Sequence, residues 1–214
     1  HVHADLALLA EPEFPGGLYQ GVTTHIIGQD GVSYAPASPK TQAFYRQYFA
    51  AVNQDPPNLG EWRTVAEYLA RFDGRVAANV AYLVPHGTVR IEVMGLEERA
   101  PTADEIAQMQ ALIAQGMSDG AIGFSTGLDY IPCTYSDTRE LIELSRPAAA
   151  AGGVFVTHMR SYRPATVASA VEETLTIGRE AGLPVHISHF NGLADQLIPL
   201  IDEGRASGVD VTFD

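Results

Sequence analysis

The chain has 214 residues, with 13 Lys and Arg against 26 Asp and Glu, a net charge of −13. An acidic balance of this size repels a phosphate backbone or an anionic bilayer, which excludes nucleic acid and membrane surfaces as expected partners. A hydrophobic share of 46% with 18% charged residues belongs to a globular chain able to bury a core, and no apolar run reaches the ~18 residues of a membrane span.

In chain order, His1-Val2-His3 comes first and sets two imidazoles two residues apart. On an extended backbone both point to one face, a chelating arrangement. The chain starts at His1 rather than Met and stops at a strand-like Val209 to Asp214, so it reads as a segment of a larger protein. Val22 to Asp30 is the next β-rich run; Asp30 shares parity with Val22, Thr24 and Ile26, whereas His25 faces the opposite, helix-covered side. Gly31 to Trp62 is a long insertion rich in Pro, Asn, Ser and aromatics, placed after a strand where barrel enzymes keep functional loops. Val76 to His86 predicts another strand. Ala103 to Gly116 predicts a helix, with Ile106, Met109, Leu112 and Ile113 on one face, Thr102 as cap and Gly116 as stop. Strands are then expected at Ala121 to Ser125, Val154 to His158, Val185 to His189 and Val209 to Asp214. Helices are expected at Thr138 to Ala151 and Thr166 to Ala181, the latter ending at Gly182.

Strand and helix alternate, which calls for a parallel sheet with helices outside. The right-handed crossover rule leaves an open doubly wound sheet or a closed barrel. The expected strand ends lie 25 to 56 residues apart, and a ~250-residue barrel uses ~31 residues per unit. The predicted fold class is therefore α/β, a TIM (β/α)8 barrel running here from the end of strand one to about strand seven.

His158 and His189 end their strands in register with Val154 and Val156, and with Val185 and Ile187, so each continues an inward-facing row to the barrel rim. Together with His1, His3 and Asp30 they make a set of neutral imidazoles and a carboxylate suited to Zn²⁺ or a neighbour such as Mn²⁺. His186, like His25, has the opposite parity. The lone cysteine, Cys133, excludes an internal disulfide and is compatible with a reducing compartment; with no leader-like start, a cytoplasmic protein is expected.

These residues resemble the amidohydrolase superfamily of metal-dependent barrels, and more closely the N-acyl-D-amino-acid deacylase (D-aminoacylase) family, over nearly the whole chain. The marks are His1-Val-His3, Gly21-Val-Thr-Thr24, His86-Gly-Thr-Val-Arg90, Val93-Met-Gly95, Asp119 to Pro132, Thr157-His-Met-Arg160 and Ile187-Ser-His189. The stretch Gly123-Phe-Ser-Thr-Gly-Leu-Asp-Tyr130 is the most specific of them. The resemblance implies that residues 1–214 belong to one metal-dependent hydrolase domain. It implies that His158 and His189 hold the main cation, one of one or two Zn²⁺ or other divalent ions, and that His1 and His3 serve a second position. It also implies that an aspartate on strand eight, outside this segment, handles the proton.

Three positions depart from the family. Gln29-Asp30-Gly31 stands where relatives usually have Asn-Cys-Gly, placing a harder carboxylate where a thiolate bridges. His189-Phe-Asn191 replaces a common His-His-Lys, and Cys133 stands where Gly tends to follow Pro. Cys133 lies in a loop and reads as a free thiol. The only lysine is Lys40, in the long insertion, which excludes a carboxylated-lysine bridge on strand four.

The chemistry expected is hydrolysis of the amide of a small N-acyl-D-amino acid. A cation in such a set lowers the pKa of bound water from ~16 to about 7 and polarises the acyl carbonyl. Tyr130 is the expected donor to the developing oxyanion. Arg160 and Arg90 are the candidates for the substrate's carboxylate, with Tyr130 lining the same pocket; His86 with Arg90 has the second reading of closing the barrel floor. Two alternatives stay open. One keeps the chemistry but takes a cyclic amide such as a hydantoin, or a dipeptide with a D-residue. The other is a barrel that binds a ligand without turnover.

Overall fold

A computed structural model describes residues 1–214. Six strands are formed, β1 Thr24–Ile27, β2 Asn79–Pro85, β3 Gly123–Gly127, β4 Val154–His158, β5 Val185–Ile187 and β6 Val211–Phe213. They pair in parallel in chain order, β1 to β6, in one sheet. The sheet curls: Asp214, just past β6, brings its Oδ2 within 3.9 Å of the His1 backbone nitrogen, which lies ahead of β1. The result is a six-stranded parallel half-barrel, coarser than the eight-stranded expectation. His1-Val2-His3, expected to end a strand, has no strand partner and no regular structure.

The longer helices are α1 Pro39–Tyr48, α2 His86–Met94, α3 Ala103–Ser118, α4 Thr138–Ala150, α5 Val167–Ala181 and α6 Ala194–Ala206. From α2 onward, consecutive helices pack side by side. The predicted face of α3 is borne out, with Met109 and Ile113 buried. Its start is fixed by a reciprocal cap: the Glu105 N–H donates to Thr102 Oγ1 at 3.3 Å, and the Thr102 N–H to Glu105 Oε2 at 2.7 Å. The helix runs two residues past Gly116. A Cβ there would lie 2.7 Å from Val84 Cγ2, so this glycine admits strand β2 rather than stopping the helix. Gly182, with φ 73°, does close α5 as expected.

Three strand ends differ from the periodicity, one of them β5, which stops at Ile187 and leaves His189 beyond it with φ 39°. His86 does not finish β2 but starts α2, because Pro85 ends the ladder and the chain turns at once into a helix. β1 stops at Ile27, and Asp30 sits in a tight turn with φ 56°, so strand parity is not what aims it. No helix is long and apolar enough to cross a membrane.

Candidate metal centre

The turn after β1 is left-handed at Gly28 (φ 75°), Asp30 (φ 56°) and Gly31 (φ 72°). Gly28 is obligatory, since a Cβ there would lie 2.2 Å from the Leu83 carbonyl oxygen. The turn lifts Asp30 into the middle of four imidazoles. Asp30 Oδ2 lies 3.1 Å from His3 Nε2, and 3.7 Å from each of His1 Nε2, His158 Nδ1 and His189 Nε2. The imidazoles also meet in pairs: His1 Nε2 is 3.4 Å from His3 Nε2, and His158 Nδ1 is 3.0 Å from His189 Nε2. Two donor triads result, His1/His3/Asp30 and Asp30/His158/His189, with the ligand atoms of each within 4.8 Å of one another.

Electrostatics match this arrangement. Asp30 is buried, which disfavours its charge, but the imidazoles of His158, His189 and His3 outweigh burial and hold its carboxyl well below the usual carboxylate range. The same carboxylate raises His189. Two short imidazole–imidazole approaches around one anion leave several ring nitrogens competing for one oxygen, a donor set that a divalent cation satisfies better than protons do. His3 Nδ1, His158 Nε2 and Asp30 Oδ1 are buried without hydrogen-bond partners.

Tyr130 joins the same site. Its ring centroid is 5.0 Å from that of His158, and burial followed by the nearby Asp30 charge pushes its phenol far above its ordinary value. Gly127 makes room for it, because a Cβ there would fall 2.4 Å from the tyrosine ring.

Both arginines are tied into the fold. Arg90 is fully buried in α2 and donates to the carbonyls of Arg99 at 2.7 Å, Glu97 at 3.3 Å and Pro132 at 3.4 Å, beside Glu140 Oε1. His86 lies in the same buried network, between Thr126 and Glu140, so the pair ties α2 to β3 and α4. Arg160 grips Glu173 with both arms of its fork, Nε and Nη2 each 2.9 Å from a carboxylate oxygen, and adds the Thr134 and Ser136 carbonyls. All five Arg90 donors are thus taken within the fold, whereas Arg160, a third exposed, keeps one Nη1 N–H outside these contacts.

No protein-family model matches the chain. It is 37% identical to a D-aminoacylase of Alcaligenes xylosoxydans xylosoxydans, with all of this chain and 44% of that protein aligned. It superimposes on the crystal structure of a D-aminoacylase, described as defining a novel subset of amidohydrolases, with a TM-score of 0.86 at 35% identity, over 100% of this chain and 45% of the other. Over its whole length the chain is similar to D-aminoacylases. An N-acyl-D-glutamate deacylase from Bordetella bronchiseptica, solved with zinc and a phosphonate mimic of the tetrahedral intermediate, matches with the same TM-score at 32% identity and the same coverage. The chain thus spans less than half the length of these relatives.

Within this centre, three contributors escaped the sequence reading. Tyr162 sets its ring edge-to-face with His158, at 5.0 Å, and tilted against His189, at 5.1 Å, while its hydroxyl accepts from the Met159 N–H and donates to the Ser188 carbonyl. It therefore clamps the loops after β4 and β5 together. Phe49, just past α1, presents its ring 5.3 Å from His3. Asp214 accepts from the His189 N–H, whose residue has φ 39°. Only Tyr162 had a sequence signal, an aromatic four residues after a strand-end histidine. Cys133 is buried and free and belongs to neither donor triad.

Proposed function

We propose that the chain provides most of the metal-binding rim of a hydrolase that converts N-acyl-D-amino acids to a carboxylate and a free D-amino acid. In this reading residues 1–214 are part of one domain, a (β/α)8 barrel completed by further chain. The observation that carries it is the convergence of four imidazoles from three separate segments on one oxygen of Asp30. Likeness to D-aminoacylases supports the reaction class, and the zinc and phosphonate held by the Bordetella relative support metal-assisted amide cleavage.

His158, His189 and Asp30 would hold the main cation, and His1, His3 and Asp30 a second, with Asp30 common to both. When bound, a cation there would supply an activated water and polarisation of the acyl carbonyl. The chain's own residues do the rest of the local work. Tyr130, kept protonated by burial and by Asp30, donates to the oxygen on which charge develops. Tyr162 holds the His158 and His189 loops at a fixed separation. With every Arg90 donor engaged inside the fold, the substrate's carboxylate falls to the remaining Arg160 N–H or to another donor. Proton transfer to the leaving amine falls to the aspartate that the family resemblance places on strand eight.

The test is metal analysis with an amidase assay on the full-length protein, before and after chelation, using N-acetyl-D- and N-acetyl-L-amino acids. Activity should vanish with the metal, return on its addition, and favour the D-substrates. Metal-free protein with undiminished turnover overturns the mechanism, and equal rates on both enantiomers overturn the substrate assignment.

A further inference from the structure

The turn that presents Asp30 is held in a backbone conformation that a side chain resists. A non-glycine residue in the left-handed region brings its Cβ against the following carbonyl, and such conformations persist only where the surroundings over-determine them. On one side the turn is tied by Ser125, whose hydroxyl accepts from the Gly31 N–H at 3.0 Å and donates to the Gly28 carbonyl. On the other side the tie is a carboxylate with no place in the chemistry described above. Asp5 is fully buried, and its Oδ1 accepts from the Gly28 N–H at 2.9 Å and from the Ser33 hydroxyl at 2.5 Å. One oxygen thus grips the turn two residues before Asp30 and three residues after it.

Asp5 is itself anchored. Its backbone carbonyl accepts from the Tyr68 hydroxyl at 2.7 Å, and it follows His3 by two residues. The same short segment therefore carries two imidazoles and the group that fixes the carboxylate they share. Its other oxygen, Oδ2, is buried with no partner. An unpartnered buried carboxylate oxygen is costly, a penalty that an apolar side chain at this position would not incur. Packing does not account for a carboxylate here, whereas two convergent donors from a strained turn do.

We propose that Asp5 is the positioning residue of the centre: it locks the left-handed Asp30 turn to the His1–His3 segment, so that one carboxylate oxygen faces both imidazole pairs. Its consequence for the cation rests on the reading of Asp30 as a shared ligand. Asp5 does not touch the cation or the substrate; it acts through Gly28 and Ser33.

Two readouts on the full-length protein test this, beside thermal stability. One is zinc affinity and stoichiometry by competition with a chelator; the other is amide hydrogen exchange over residues 28–33. Asp5→Ala should weaken zinc by about 10- to 100-fold, the range for partners that orient ligands, and speed exchange over 28–33 more than elsewhere. Asp5→Asn, which keeps an acceptor oxygen at the same place, should restore most of both. If Asp5→Ala does not fold, Ser33→Ala removes one of the two donors and should move both readouts in the same direction by less. A uniform loss of stability with unchanged zinc affinity and unchanged local exchange reduces Asp5 to ordinary packing and overturns the proposal. Faster exchange with unchanged affinity overturns its link to the cation. Should wild-type protein hold no zinc, the metal reading fails by itself, and the exchange comparison still decides whether Asp5 fixes the turn.

Discussion

Tyr130 illustrates how one residue becomes useful through what its neighbours lack. Because Gly127 has no side chain, the ring of Tyr130 fits beside it and packs against His158. A phenol there keeps its proton across the whole working pH range, because burial and the adjacent anion both oppose its loss. Such a group donates to an oxygen that gains charge during the reaction and gains little from the ground-state substrate. Tyr130→Phe keeps the ring and removes the donor. Under the proposed function, kcat should fall on the order of 100-fold, the scale of losing one oxyanion donor, with KM changed by less than about threefold. Steady-state kinetics on full-length protein decide it: a raised KM at unchanged kcat would assign Tyr130 to substrate binding instead.

Among the elements, α3 was the most legible, and it shows why. Its apolar residues recur at helical spacing and its cap is a local pattern, Thr102 with Glu105, that needs no tertiary partner. The Glu105 carboxylate takes the Thr102 N–H and pairs with both terminal nitrogens of Arg99, at 2.6 and 2.8 Å. Arg99 first, then the Thr102 amide, lower its pKa from 4.5 to about 2. A depressed carboxylate contributes stability above its unfolded pKa and loses it as pH falls through the folded one. The stability gap between wild type and Glu105→Gln, followed by denaturant midpoints, should therefore be constant above pH 4.5 and shrink steadily toward pH 2; a gap independent of pH would show that the cap works without its charge. The strands at β4 and the helices α4 and α5 were equally readable, whereas α2 and α6 were not. α2 opens at a histidine that looked like a strand end, and α6 carries Pro199 mid-helix, where it reads as a breaker, unlike Pro147 in the last turn of α4. Arg90 misled for a related reason: a charged residue reads as a surface group until the carbonyls that bury it are known.

At the scale of the whole molecule, the histidines were legible but the reason they meet was not. Parity along strands pointed His158 inward, yet Asp30 and His189 arrive through left-handed backbone beyond the ends of β1 and β5, and no periodicity encodes that. The donors come from residues 1–3, from the turn after β1 and from the ends of β4 and β5, so segments separated by up to nearly the length of the chain converge on one point. A ligand that binds only this convergence must stabilise the curled sheet that creates it, by about 2.7 kcal/mol at a free concentration one hundred times its Kd. The melting temperature of the full-length protein should therefore rise with zinc concentration and drop on chelation. Asp30→Ala removes the oxygen common to both triads and should flatten that dependence entirely, while His1→Ala, which touches one triad, should leave part of it. The comparison separates a shared centre from two independent ones: if Asp30→Ala and His1→Ala flatten the curve equally, the carboxylate does not join the two halves. If chelation removes the zinc and leaves the melting temperature of the wild type unmoved, the cation does not bind where these strands meet.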